Sequence, residues 1–506
     1  MSSQNNRDLF GNVADSILKQ SVDASLGLYA PRNRALASHL KKQLGQTFGD
    51  GDSFLAAPVL EALFEWENHS TPVSNWKNKD GEGLHPDLIE ALNQPPEQYA
   101  HNAFRKEWHP YKHQHIAWDA LSQHDPKSVI ISTGTASGKT ESFLVPILDD
   151  LTKQQDLGEG VQALFLYPLN ALIHSQEERL AAWTSGLTQH GIQFCLYNRH
   201  LPHNAPIRNQ RKKPFQTISR AQLWKSPPQL LITNATMLEY LLLRNKDRPI
   251  LEKSQGKLKW IVLDEAHTYL GSNAAEISLL LRRVMHAFGV RPNQVRFIAT
   301  SATIGDEQAT EKLRKYLADL SGASIEQITV VTGRRLPAKI TNDGAGAVPL
   351  LSEISAAMPQ KNYERFCASK TCLDLRLSLA QTPRSINQVK DALNAALPPD
   401  AQLNSHEALE FCDRLAEAES HQGEYFLPLR IHFFQRTIPG IWACSSALCP
   451  DTFAAQKWRY GKLHFHRRET CSTCESKVFE LLFCRQCGEE YLLAERVPPK
   501  KEGAAD

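Results

Sequence analysis

VIISTGTASGKT, residues 129–140, passes from a β-branched apolar run into a turn built on Gly134 and Gly138, and an apolar helix from Glu141 to about Leu151 follows at once. Val129, Ile130 and Ile131 are strand formers, and a glycine turn between strand and helix is the layout of a phosphate loop. In such a loop backbone N–H groups converge on phosphate oxygens at a helix N-terminus, where the helix dipole also favours negative charge. The loop residues are then Thr133, Gly134, Thr135, Ala136, Ser137, Gly138, Lys139 and Thr140. Lys139 would reach the β- and γ-phosphates, and Thr140 would bring its hydroxyl to Mg²⁺. Thr133 stands where the general pattern has glycine, so the competing reading is a glycine turn that merely opens an α/β helix.

A second element weighs against that competitor. WIVLD, Trp260 to Asp264, runs straight into Glu265, Ala266 and His267, which puts two carboxylates at a strand's carboxyl end. Phosphate-loop enzymes place the acidic partner of Mg²⁺ there. Asp264 would hold the magnesium through water and Glu265 would orient and deprotonate the attacking water. The alternative is a pair of acids that only sweetens a helix N-terminus.

Around these two elements lie further short apolar runs: ALFLY (163–167), QFCLY (193–197), QLLIT (229–233) and VRFIAT (295–300). Near-continuous apolar strands separated by helices mark a parallel sheet covered on both faces, so the fold class is α/β. The expected organisation is a helical N-terminal extension (1–100), the α/β domain (101–343), a helical region (344–425), a small β-rich cysteine module (426–496) and a mobile tail (497–506). Within the extension, Asp8 to Lys19, Ala35 to Leu44 and Ala56 to Glu65 have helical patterns. VVTGRRLP, 330–337, reads as the exit from the α/β domain.

Composition excludes several classes. The 506 residues carry 57 Lys and Arg against 55 Asp and Glu, a formal charge of +2, with 42% hydrophobic residues, so gross charge names no partner. The stretch Gly160 to Gln176, which has no Asp, Glu, Lys or Arg, falls short of a membrane span and contains Pro168 and Asn170. The N-terminus lacks an apolar core behind a basic start, so the expectation is a cytoplasmic protein without a membrane partner. In that compartment Cys444, Cys449, Cys471, Cys474, Cys484 and Cys487 point to metal before disulfides. Two pairs make one tetrahedral zinc site. Either the last four form a ribbon, or Cys444 and Cys449 pair with one of the later knuckles. An iron–sulfur cluster competes, and buried unligated thiols are the bland alternative.

Taken in order, the motifs resemble a superfamily 2 helicase of the DEAD/DEAH-box group. Tyr111, Lys112, His113 and Gln114 resemble the segment whose glutamine reads adenine, and residues 133–140 resemble motif I. Tyr167 to Leu172 with Ser175 and Gln176 resemble motif Ia, and Thr233 to Leu238 resemble motif Ib. Asp264 to His267 resemble motif II in its DEAH form, and Ser301, Ala302 and Thr303 resemble motif III. The resemblance implies a RecA-like domain that uses ATP and Mg²⁺, with Lys139, Asp264, Glu265 and His267 in the catalytic group and Gln114 on the base. It implies nucleic-acid contacts through Pro168, Asn170, Thr233 and Asn234, and coupling of hydrolysis to strand handling through residues 301–303. The wider wording, LDEAHTYLGSNAAEISLLLRR with cysteines downstream, is similar to a bacterial group of large helicases related to the mitomycin-repair helicase family, some of them in anti-phage defence systems. Nothing after Gly344 resembles the QxxGRxxR motif of a second RecA-like domain.

The expected function is therefore the ATP-binding half of a DEAH-type helicase or translocase acting on nucleic acid, DNA favoured over RNA. A continuation of the chain or a partner chain would supply the second RecA-like domain. The rival is a non-catalytic, ATP-switched nucleic-acid adaptor; a small-molecule kinase is disfavoured because it would leave motifs Ia, Ib and III without purpose. Arg199, Arg208, Arg211, Lys212, Lys213 and Arg220 form a basic stretch that either touches phosphates or is merely solvated.

Overall fold

The computed structural model describes residues 9–29, 33–50, 53–134, 137–301, 307–340, 344–436, 438–452, 458–484, 486–487 and 489–494. The expected mobile tail, Thr135 and Ala136 of the phosphate loop, and Ala302 and Thr303 of motif III lie outside them. The chain divides into two compact units, residues 65–336 and residues 1–64 with 337–506.

In the unit 65–336 seven strands form one parallel sheet: β1 (Ser128–Ser132), β2 (Ala163–Leu166), β3 (Phe194–Leu196), β4 (Leu230–Thr233), β5 (Trp260–Leu263), β6 (Arg296–Ser301) and β7 (Ile328–Thr332), in the order β3-β4-β2-β5-β6-β1-β7. Alternate residues feed two apolar layers. Val129, Ile131, Ala163, Phe165, Leu230 and Ile232 enter one, whereas Ile130, Leu164, Leu166, Leu231, Ile261 and Leu263 enter the other. Both faces being dry explains why the strands read as unbroken apolar runs rather than alternating ones.

Strand β7 was not among the expected runs. It pairs with β1 at the sheet edge, from Ser128 beside Ile328 to Ser132 beside Thr332, and only Ile328 and Val331 are buried along it. Its mixed burial weakens the apolar signal; VVTGRRLP begins inside this strand, and the α/β unit ends within the same stretch, at Leu336. The lower boundary also differs: Trp76, Leu84, Leu88 and Leu92 share the apolar layer of Val129 and Phe165, which assigns residues 65–100 to the α/β unit. Helix α1 (Lys112–Leu121) leans on α2 (Lys139–Thr152), where the Trp118 indole donates to Glu141 O at 2.9 Å.

The other unit joins both ends of the chain. Helices Leu9–Tyr29 and Arg34–Leu44 form as their patterns suggest, but Val59–Ala62 is a strand where a helix was expected. Pro58 precedes it, and it is paired on both sides, with Leu429–His432 and Arg384–Ser385. Residues 344–425 are mainly helical (Pro359–Ala368, Lys370–Gln381, Ile386–Asn394, Ser405–Glu417), and the cysteine segment builds a four-stranded antiparallel sheet. These are not separate modules: Leu36, Phe366, Leu409, Ala443 and Leu481 belong to one apolar core. Buried Arg376 ties it together, donating to Phe426 O at 2.6 Å and Ala338 O at 2.9 Å with its guanidinium over the Phe64 ring. No described helix is long and apolar enough to cross a membrane.

Helices Pro86–Asn93 and Glu177–Ser185 meet in the α/β unit at a contact with no spare room, since a Cβ on Gly186 would lie 2.7 Å from Ala91 Cβ. Gly186 has an ordinary backbone (φ −76°), so space alone demands the glycine. Gly186→Ala should cost about 1–3 kcal/mol by overpacking, and adding Ala91→Gly should recover most of the packing part. Urea unfolding of both variants checks this.

Candidate functional site

The carboxyl ends of β1, β5 and β6 carry the phosphate loop, the acid turn and motif III. Because β6 lies between β5 and β1, Ser301 is paired with Ser132, and Thr133 N donates to Ser301 O at 3.2 Å. Lys139 Nζ donates to Thr133 O at 3.3 Å and Ser301 O at 3.4 Å, so its ammonium rests among carbonyls at the loop's base. Thr133 and Ser137 join hydroxyls at 2.5 Å, which gives Thr133 a bonding role that glycine could not fill.

Gly138 caps α2 in the left-handed region (φ 69°), and a Cβ there would meet Gln114 Nε2 at 2.3 Å. Gln114 is clamped at both ends: Nε2 donates to Gly138 O at 3.1 Å and Oε1 accepts from Tyr111 N at 2.8 Å. Beside it, buried His113 donates through Nε2 to Ser137 O at 2.7 Å. Burial pushes its pKa down to about 4 despite that carbonyl, so the ring is neutral at pH 7. Trp66 packs edge-on against His113, and the Arg335 guanidinium lies 4.2 Å over Trp66. A cavity of about 660 Å³ opens against this corner, lined by Trp108, Tyr111, Gln114, Gly138, Glu141 and Arg179 among others. Thr140 is half-buried at the start of α2.

At the acid turn, Thr300 in β6 does two jobs with one hydroxyl. It donates to Asp264 Oδ1 and accepts from Glu265 N at 2.9 Å. Glu265 takes a left-handed backbone (φ 50°), unusual for a residue with a side chain and a mark of local strain. His267 Nδ1 lies 3.3 Å from Glu265 Oε2, and Tyr316 OH donates to Ala266 O at 2.7 Å and Tyr269 O at 3.0 Å. Burial raises the Asp264 carboxyl above its ordinary value, and neighbouring Glu265 adds to this; the Thr300 bond and Lys139 pull the other way.

The residues expected at nucleic acid divide. Asn170 opens α3 (Asn170–Ser175) and accepts from Asn234 Nδ2 at 2.7 Å, while Asn234 Oδ1 caps α4 (Ala235–Leu243) by accepting from Met237 N. Pro168 and Asn170 are half-buried at that end of the sheet. Thr233 differs: it is wholly buried and its hydroxyl donates to Tyr197 O at 2.7 Å, which makes it a support beneath Asn234. In the basic stretch Arg220 is likewise internal, donating to Leu201 O and Asn198 O, whereas Arg199, Arg208, Arg211 and Lys212 are exposed.

In the other unit, Cys444, Cys449, Cys471 and Cys474 converge, with their sulfurs all within 4.8 Å of one another. Cys444 Sγ lies 3.4 Å from Cys474 Sγ and Cys449 Sγ 3.8 Å from Cys471 Sγ. A tetrahedron with ~2.3 Å zinc–sulfur bonds has edges of ~3.8 Å, so the four donors fit a zinc-sized cation. Gly461 makes room, since a Cβ there would come within 2.5 Å of Cys449 Cβ. Hydrogen bonds from the Ser476 hydroxyl and backbone N–H lower the Cys474 thiol to about 6. Cys484 and Cys487, counted among six candidate ligands, stay outside the four, so the convergence is of Cys444 and Cys449 with the knuckle of Cys471 and Cys474 and not of the last four cysteines. Pair spacing alone could not choose, because Cys444 reaches Cys474 only through strand pairing of Trp442–Cys444 with Val478–Phe483.

Thr300, His113, Trp66 and Tyr316 were missed as functional supports. Thr300 had a signal, a hydroxyl at the end of the buried run FIAT; the others act from distant segments whose contacts no local pattern encodes.

Residues 111–311 match the family model DEAD/DEAH box helicase, and residues 463–505 match the YjiV N-terminal domain. The chain is 25% identical over 518 residues to Druantia protein DruE of Escherichia coli (strain UMEA 4076-1), covering 76% of this chain and 28% of that protein. It is 29% identical over 217 residues to the uncharacterized ATP-dependent helicase YprA of Bacillus subtilis (strain 168), covering 41% and 25%. Among solved structures, DUF1998 helicase MrfA bound to DNA is similar at 18% identity with a TM-score of 0.36, covering 69% of this chain and 43% of that one. The chain thus spans less than a third of the length of these curated relatives.

The buried Asp264 carboxylate costs the fold stability. Its folded pKa lies above the unfolded value near 3.8, so the folded chain holds more protons between the two values. The penalty is full at neutral pH and vanishes below the unfolded value. Asp264→Asn should therefore raise the Tm of the nucleotide-free protein at pH 7, by about 2–4 °C if the relief is ~1 kcal/mol, and should lose that advantage near pH 3.5. Calorimetry across this pH range provides the check.

Proposed function

We propose, from the premise that residues 111–311 form a DEAD/DEAH box helicase domain of superfamily 2, that this chain is the ATP-binding half of an ATP-dependent nucleic-acid helicase or translocase. The observation that carries the reading is the meeting of Lys139 with the Thr133 and Ser301 carbonyls at the sheet end where Thr300 holds Asp264 and Glu265. ATP with Mg²⁺ would supply the phosphoanhydride and the cation that neutralises developing charge. The phosphate loop would cradle the phosphates, Lys139 would leave its two carbonyls for a phosphate oxygen, and Thr140 with Asp264 would hold the metal. Glu265 would take the proton of the attacking water, its strained backbone fixing the carboxylate's direction. The cavity beside Gln114 would take the base. Asn170, Asn234 and the exposed basic side chains Arg208, Arg211 and Lys212 would contact the strand, with DNA the expected substrate. Ser301 would transmit the nucleotide state, because its carbonyl touches both Thr133 N and Lys139 Nζ.

The thiolate cluster of Cys444, Cys449, Cys471 and Cys474 would hold about one zinc ion in a structural role, since four sulfurs leave no open position. The reading places the protein in the cytoplasm, and its similarity to Druantia protein DruE motivates a role in defence against phage.

A second reading, an ATP-switched adaptor, is favoured by one observation: the described residues contain one parallel sheet, and residues 344–425 are mainly helical. A second RecA-like domain, on a continuation or a partner chain, would supply the arginine that stabilises transition-state charge, an effect worth ~10³–10⁵ in comparable phosphoryl transfers.

Lys139→Ala should abolish binding of a fluorescent ATP analogue; unchanged affinity would sink the assignment. Glu265→Gln should keep binding and lose turnover. These 506 residues alone should show near-background ATPase with little stimulation by DNA or RNA, and robust stimulated turnover would overturn the requirement for a second domain. Elemental analysis should find the zinc lost from a Cys471→Ser/Cys474→Ser variant and retained by Cys484→Ser/Cys487→Ser; iron with visible absorbance would replace zinc by a cluster.

A further inference from the structure

We propose that His85, Asp87 and His190 form a second metal site, in the α/β unit, for a borderline divalent transition ion such as zinc. None of the three belongs to the phosphate loop, the acid turn or the thiolate cluster.

The residues come from two separated segments. His85 is the N-cap of helix Pro86–Asn93, Asp87 lies in that helix's first turn, and His190 ends the 3₁₀ turn Thr188–His190, which Gly191 closes in the left-handed region (φ 72°). The close approach of Gly186 to Ala91 holds the two segments in register. His85 is further fixed by its backbone N–H, which donates to Asp149 Oδ1 at 2.7 Å.

One oxygen is shared. His190 Nε2 lies 2.7 Å from Asp87 Oδ2, and His85 Nδ1 lies 4.0 Å from the same atom. One ligand atom from each of the three residues falls within 4.8 Å of the others. The imidazole planes meet at 82° with centroids 5.3 Å apart, so the rings do not stack and their nitrogens can converge. A tetrahedral ion with bonds of ~2.0–2.1 Å to nitrogen and oxygen needs ligand edges of ~3.3–3.4 Å. The separations of 2.7 and 4.0 Å straddle that value, and side-chain rotation alone can equalise them. His85 Nδ1 accepts from Asp87 N at 3.2 Å, a long bond that an ion would replace. An ordinary ion pair would need one histidine and one aspartate; here a second imidazole nitrogen, that of the helix cap, also stands 4.0 Å from the same carboxylate.

Donor chemistry sets the class. Two imidazoles and one carboxylate suit zinc, cobalt or nickel and not magnesium or calcium, which prefer all-oxygen shells. Side chains 19–47% exposed leave a fourth position open to water. The ion would staple helix Pro86–Asn93 to the turn ahead of edge strand β3.

The test uses the full chain, zinc-loaded and freed of loose metal, with zinc counted by elemental analysis. About two zinc ions per chain are expected in the wild type and about one in Asp87→Asn and in His190→Gln; the Cys471→Ser/Cys474→Ser variant should keep about one. Cobalt added to the chain after zinc has filled the thiolate cluster should give nitrogen- and oxygen-ligand visible bands without thiolate charge transfer, and these should disappear in His85→Gln. Circular dichroism and ATP-analogue binding report whether each variant is folded. A wild type holding about one zinc, or folded Asp87 and His190 variants holding as much zinc as the wild type, overturns the proposal. Neither result depends on whether Lys139 and Asp264 hydrolyse ATP.

Discussion

A single hydroxyl organises the end of the sheet where the chemistry would occur. Thr300 accepts the Glu265 N–H and donates to the Asp264 carboxylate, so strand β6 holds the two acids of the neighbouring turn in fixed relation. The next residue along β6, Ser301, offers its carbonyl to Thr133 N and Lys139 Nζ on the other side. Two consecutive residues of one strand therefore grip both halves of the proposed nucleotide site. Parallel pairing makes this possible, because it aligns the carboxyl ends of β5, β6 and β1 at one edge.

The same site is held in tension. A buried carboxylate and a left-handed glutamate both cost free energy, and the surrounding packing holds them: Tyr316 pins the turn's carbonyls, and His113 pins the loop at Ser137. Burial keeps His113 uncharged, so the loop's back wall adds no second cation beside Lys139. Strain of this kind persists only where the surrounding structure over-determines it.

The second unit solves a different problem. Its helices and its cysteine sheet share one core, and residues between Ala14 and Phe64 complete it. Strand Val59–Ala62 forms because residues more than 300 positions away flank it on both sides. The cysteine cluster is likewise a product of pairing across the sheet, which brings Cys444 and Cys449 to the knuckle of Cys471 and Cys474.

Local pattern determined a great deal by itself. The runs 129–133, 163–167, 260–264 and 295–300 announced buried parallel strands because every residue of such a strand faces an apolar layer. Gly138 announced the turn that opens the following helix because glycine takes its left-handed backbone without strain. What local pattern could not decide was anything fixed by partners distant in sequence. Strand β7 lies at the sheet edge with only two of its five residues buried, Val59–Ala62 is a strand only in company, Thr233 looks like a contact residue until Tyr197 O claims its hydroxyl, and Cys484 with Cys487 matches the ligand spacing without reaching the cluster. In each case the deciding energy is a contact between segments that the chain brings together only by folding, and the sequence around either segment alone carries no record of it.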